Sequence, residues 1–93
     1  MNMPLLTKLN AQRNKIKYLS GMISNCKNLK HVLLDQNELE MLPCEMQAMS
    51  WLKVLKVSKN KLKNLIFGVR EMHELQILDL QNNRLKFLPS GLH

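Results

Sequence analysis

The chain has 93 residues, 45% of them hydrophobic and only 4% aromatic, so a single small domain must be built on an aliphatic core. No run approaches the roughly 20 apolar residues that a membrane-spanning helix needs, and the content of 3 glycines and 3 prolines argues against a low-complexity chain. The formal net charge of +7 makes acidic partners worth testing without naming one.

Met1-Asn2-Met3-Pro4-Leu5-Leu6 has no basic stretch followed by a long apolar one, so no secretory leader is read there. Two cysteines cannot form a disulfide framework, which points to a reducing cytoplasm or nucleus.

Internal repetition organises everything that follows. Asparagines stand at Asn14, Asn37, Asn60 and Asn83, each 23 residues after the last. Aligned on them, the apolar positions coincide. The first segment carries Leu6, Leu9, Ala11, Ile16 and Leu19, and the second Leu29, Val32, Leu34, Leu39 and Leu42. The third carries Leu52, Leu55, Val57, Leu62 and Leu65, and the fourth Leu75, Leu78, Leu80, Leu85 and Leu88. Within each segment the pattern LxxLxL contains a period-two alternation, which predicts a short strand with its leucines on one face. One segment cannot bury those leucines alone. Stacked segments can, as a parallel sheet with strands about 4.8 Å apart.

The returning segments add an apolar pair spaced i, i+3: Ile23 and Cys26, Met46 and Met49, Val69 and Met72. That spacing predicts a helical turn in each. Pro43 suits the start of such a turn better than its interior.

The pattern LxxLxLxxNxL followed by xxLPxxLxxLxx resembles the leucine-rich repeat family, over essentially the whole chain. The 23-residue length, with Leu42-Pro43 and Leu88-Pro89, resembles the intracellular repeats of Ras-suppressor, scribble and erbin-type scaffolds. Ala11, Ser20 and Ile66 depart from the pattern, at an apolar slot and at two proline slots. The resemblance implies an α/β fold: a right-handed solenoid with a parallel sheet on its concave face and short helical turns on its convex face. Residues 1–93 then form one domain of four repeats, 6–28, 29–51, 52–74 and 75–93. It also implies that Asn14, Asn37, Asn60 and Asn83 hydrogen-bond the backbone of the turns as a ladder, the condition under which a buried amide is tolerated.

Met3 falls in the column of Cys26, Met49 and Met72, and Leu92-His93 ends at the same phase. Solenoids carry polar caps because each end exposes leucines, and no cap sequence is read at either end. The chain reads as an excerpt of a longer array; the alternative is a complete protein that shields its ends by self-association.

The family resemblance implies protein binding on the concave surface. The residues it places there include His31, Leu33 and Asp35, then Val54, Lys56 and Lys59, then Ile77 and Asp79. Leu33, Val54 and Ile77 form the expected apolar centre, rimmed by charge. The resemblance thus implies a scaffold or adaptor module whose partner is another protein. The runner-up is electrostatic docking of acidic lipids or nucleic acid through Lys53, Lys56, Lys59, Lys61 and Lys63. No aromatic residue stands among the concave positions to stack a base, which weighs against nucleic acid. Stacking offers a plainer use for part of the charge: Glu38 falls between Lys15 and Lys61, and Glu40 between Lys17 and Lys63, as cross-turn ion pairs.

Tyr18, Met41, Asn64 and Phe87 share a column read as covering the edge of the core. Trp51 is read as packing partly against the next turn. Cys26 takes a core slot, and Cys44 is read as a partly exposed thiol with no adjacent basic residue to activate it. No catalytic constellation, phosphate loop, metal-ligand spacing or cofactor motif is found, so no enzyme activity is expected.

Overall fold

A computed structural model describes residues 5–64 and 72–85. Met3, Leu65, Ile66, Val69, Phe87, Leu88, Pro89, Leu92 and His93 lie outside the described residues.

The chain forms one four-stranded sheet in sequence order: β1 (Lys8–Asn10), β2 (His31–Leu33), β3 (Val54–Lys56) and β4 (Ile77–Asp79). All three pairings are parallel and unstaggered. Lys8 lies opposite His31, His31 opposite Val54, and Val54 opposite Ile77. The alternation inside each strand fixes this register, because a slip of one residue would turn Leu9, Val32, Leu55 and Leu78 out of the core.

Backbone hydrogen bonds continue past the short strands in both directions. Before them, the N–H groups of Lys30, Lys53 and Gln76 donate to Thr7, Lys30 and Lys53 carbonyls. After them, the N–H groups of Ala11, Leu34 and Val57 donate to Leu33, Lys56 and Asp79 carbonyls.

Two 3₁₀ helices, Gly21–Asn25 and Cys44–Ala48, occupy equivalent places in successive layers. The i, i+3 apolar pairs suit the three-residue period of a 3₁₀ helix. Ser20 and Pro43 precede them with nearly the same backbone, φ −66° and ψ 139° and 136°. Pro43 presets that φ. Ser20 reaches the same geometry and adds a cap, its hydroxyl accepting from the Met22 N–H at 3.1 Å. The departure from the repeat pattern at Ser20 is therefore a substitution of one helix-start device for another.

The core combines Val32 and Leu55 of the strands and Leu29, Leu34, Leu52 and Val57 beside them with Leu39, Leu42 and Leu62 from the segments beyond the sheet. Ile23, Cys26, Met46, Met49 and Met72 close it, and every one of these side chains is buried. The outer layers, which have a neighbour on one side only, hold Leu6, Leu9, Ala11, Leu78 and Leu80 half-buried.

The asparagine amides tie layer to layer. Asn37 Nδ2 donates to the Leu34 carbonyl of its own layer at 2.9 Å and to the Ala11 carbonyl of the preceding one at 3.0 Å. Its Oδ1 accepts the Ile16 N–H at 3.1 Å. Asn60 repeats the arrangement with Val57, Leu34 and the Leu39 N–H, and Asn83 with Leu80, Val57 and the Leu62 N–H. Asn37 and Asn60 are buried, Asn83 is half-buried, and Asn14 is exposed and bonds only within its own turn, to Ala11 and Gln12 carbonyls.

The residue before each asparagine takes the left-handed region: Arg13, Gln36, Lys59 and Asn82 have φ of 60°, 59°, 56° and 58°. None is glycine, and each such residue costs about 1–2 kcal/mol. The conformation turns the chain sharply enough to aim the following amide at the carbonyls behind it. It also places the N–H groups of Arg13, Gln36 and Lys59 on Asp35, Ser58 and Gln81 carbonyls at 2.9–3.0 Å.

Replacing Asn37 by leucine strands the Ile16 N–H and takes one of two amide donors from each of the Ala11 and Leu34 carbonyls, which keep Asn14 and Asn60. At about 1–3 kcal/mol for a buried group left unpaired, and less for each carbonyl that loses one of two donors, thermal melting of Asn37→Leu should show a loss of about 2 kcal/mol or more; a wild-type melting temperature would refute the tie. At the turn, Gln36→Val should cost about 1–2 kcal/mol through its β-branched left-handed residue. Gln36→Gly should melt close to wild type, the relief of φ offsetting the added unfolded-chain entropy.

Candidate protein-recognition surface

The side chains that point away from the core form rows across the sheet. Lys8, His31, Val54 and Ile77 make one row, and Asn10, Leu33, Lys56 and Asp79 the next. Gln12, Asp35, Ser58 and Gln81 follow beyond the strands, then the left-handed residues Arg13, Gln36, Lys59 and Asn82.

The expected apolar centre is smaller than the sequence suggests. Ile77 is 47% exposed, but Val54 is 8% exposed. Val54 has a short branched side chain on an interior strand, flanked in register by His31 and Ile77, so its neighbours shield it. Leu33 is half-buried and sits diagonal to Val54, opposite Lys56. Diagonal neighbours are about 7–8 Å apart, so the direct apolar contact is Val54 with Ile77. His31 and Lys59 are exposed, and Lys56 and Asp79 half-buried.

Asp35 is committed inside the surface. One carboxylate oxygen accepts the Gln12 side-chain amide at 2.8 Å, and the other accepts the Ser58 N–H at 2.7 Å and its hydroxyl at 2.8 Å. A residue expected to meet a partner thus pins three layers together. Asp79 Oδ1 accepts the N–H of Gln81 at 3.2 Å, and Asn10 Oδ1 that of Gln12 at 3.3 Å, bracing the turns beyond β4 and β1.

The lysine cluster divides. Lys53 precedes β3, Lys56 ends it, and Lys59 occupies its left-handed turn, whereas Lys61 and Lys63 follow Asn60. Lys61 pairs with Glu38 at 3.5 Å, the only ion pair among the described residues. The expected pairs Lys15 with Glu38, Lys17 with Glu40 and Lys63 with Glu40 do not form. These are long, exposed side chains whose pairing gains little over hydration.

Tyr18 and Met41 do not cover the core edge. They are 65% and 50% exposed, because the residues after them, Leu19 and Leu42, turn inward from extended chain. Trp51 packs against the preceding turn rather than the next: its indole N–H donates to the Cys26 carbonyl at 3.1 Å, and Lys27 Nζ stands 4.7 Å from the ring centre. Cys26 is buried and Cys44 exposed, both as free thiols.

Two features were missed at the sequence level. The left-handed column has no composition signal, since arginine, glutamine and lysine rarely adopt that conformation. The Gln12–Asp35–Ser58 row carried one, an acid flanked at 23-residue spacing by an amide and a hydroxyl.

Residues 74–93, which include β4 and Asn83, match the family model described as Leucine Rich Repeat. The chain carries a leucine-rich repeat. No curated protein matches the chain significantly. Leucine-rich repeats generally mediate protein–protein interaction and are typically non-enzymatic. Among the described residues no cluster of histidine, cysteine and acidic side chains could hold a metal ion, and no helix is long and apolar enough to cross a membrane.

Asp35→Ala should lower stability by about 2–3 kcal/mol, since the Ser58 N–H and the Gln12 amide lose a charged acceptor. Asp35→Asn, which keeps the shape and one acceptor, should lose less than half of that in a denaturant titration. Equal stability of Asp35→Ala and wild type would assign the carboxylate to a partner instead.

Proposed function

We propose that the chain is a non-enzymatic recognition module of four leucine-rich repeats, 6–28, 29–51, 52–74 and 75–93, that binds another protein on the outward face of its sheet. In this reading the solenoid is right-handed, the sheet lines its concave side and the 3₁₀ helices its convex side. The module serves an intracellular scaffold or adaptor of the Ras-suppressor, scribble and erbin type, and the two free thiols support a reducing compartment.

The observation that carries the reading is the division of labour on the sheet face. Its backbone bonds are used between strands, and Asp35 locks three layers, so the surface is preorganised. His31, Lys56, Lys59 and Ile77 remain with side chains available to a partner. Ordering such a surface costs little on binding.

Tyr18 and Met41 define the rival surface, since they are more exposed than any apolar side chain in the strands. Capture on the immobilised chain, quantified by mass spectrometry, separates the two. Ile77→Asp should deplete the proteins held by wild type by about tenfold or more, with an unchanged circular dichroism spectrum. Tyr18→Asp should retain them. Retention by Ile77→Asp together with loss by Tyr18→Asp would move the binding surface off the sheet.

A further inference from the structure

We infer that the segment this face receives is an extended, acidic stretch of protein, its carboxylates meeting Lys53, Lys56 and Lys59 and an apolar side chain resting on Val54 and Ile77. The inference rests on the sheet-face reading above and adds the chemistry of the partner.

The charges facing outward do not balance. Lys8, Arg13, Lys56 and Lys59 stand in the outward rows, and Lys30 and Lys53 directly before β2 and β3, against Asp35 and Asp79. Asp35 is already surrounded by donors, accepting from Gln12 and twice from Ser58. Asp79 holds the Gln81 N–H, and although Lys56 lies opposite it in register, the two do not form an ion pair. The one ion pair among the described residues, Glu38 with Lys61, lies past Asn60 and offsets none of the β3 lysines. The cations along β3 therefore have no ion-pair partner and outnumber the nearby carboxylates, and they are half-buried or exposed, the arrangement that raises the local concentration of an anionic partner.

The surroundings choose among anions. The Val54–Ile77 contact sits between Lys53 and Lys56 along the strand, so carboxylate and apolar contacts are interleaved within roughly 10 Å at the rise of a strand. A polypeptide can supply both at that spacing. Nucleic acid gains from aromatic platforms, and none stands in the outward rows. A lipid surface gains from protruding apolar side chains, and Val54 is recessed at 8% exposure.

The test uses the full chain and a short fluorescein-labelled peptide of repeated glutamate–glutamate–leucine, read by fluorescence anisotropy, beside the same peptide with glutamine for glutamate. The glutamate peptide should bind at least about tenfold tighter, and raising salt from about 0.05 to 0.3 M should weaken it severalfold. The pair Lys53→Gln and Lys56→Gln should lose that preference, while Lys61→Gln with Lys63→Gln should keep it at an equal change of net charge. Ile77→Asp should weaken both peptides.

Equal binding of the two peptides, both weakened by Ile77→Asp, would overturn the acidic partner and leave the sheet-face reading standing. An equal loss in the Lys61 and Lys63 pair would reduce the effect to net charge and overturn it as well. So would tighter binding of phosphatidylserine vesicles or a single-stranded oligonucleotide than of the glutamate peptide. Absence of binding by either peptide, with Ile77-dependent protein capture retained, would overturn the acidic segment alone. If Ile77→Asp also leaves capture unchanged, the sheet-face reading fails with it.

Discussion

Everything in this fold depends on satisfying the backbone where the chain leaves the sheet. A strand of three residues can pair with its neighbours, but the turn that follows buries carbonyl and N–H groups with no strand to meet them. A side-chain amide suits the position because it offers two donors and an acceptor from a short stem. Asn37, Asn60 and Asn83 each use that capacity across two layers, donating to carbonyls in both and accepting one N–H from the layer behind. Glutamine would be a methylene too long, and aspartate would offer no donor. The left-handed residue before each asparagine is the backbone cost of aiming that amide.

The outward face of the sheet inherits its rigidity from the same arrangement. Unstaggered strands set outward residues in straight rows, so a side chain meets its 23-residue counterpart directly. Like charges in one row would repel, and no outward row here sets two like-charged side chains next to each other. Asp35 shows how a row becomes structural: with an amide on one side and a hydroxyl on the other, its charge is spent inside the protein. Lys56 has leucine on one side and an unpaired aspartate on the other, and stays available. The difference between the two is decided by row neighbours rather than by the residue itself.

How much of this was legible depends on which interaction carried the signal. Strand positions, register and core followed from leucine spacing, because hydrophobic burial acts through periodicity alone. The 3₁₀ helices followed from the i, i+3 pairs. The left-handed column was invisible, since Arg13, Gln36 and Lys59 are set there by tertiary demand against their own preference. Val54 was misread as exposed because its cover comes from neighbouring strands, which a pattern within one strand does not contain. The ion pairs expected from the charge columns reduced to Glu38 with Lys61, as column matching finds facing charges but not the hydration that competes with pairing. Tyr18 and Met41 were assigned to the core edge by their place beside a core leucine, where an extended chain instead turns adjacent residues to opposite sides.

The claim on which the rest depends is that the asparagine amides, and not leucine burial alone, couple one layer to the next. Native-state hydrogen exchange at the Ile16, Leu39 and Leu62 amides reads it directly, because these N–H groups donate to Asn37, Asn60 and Asn83 side chains and to no backbone carbonyl. Protection of Leu39 comparable to the strand amides of β2 and β3 is the predicted result. Exchange at Leu39 as fast as in exposed turns, while the strand amides stay protected, would contradict the account and leave the stacking to the aliphatic core.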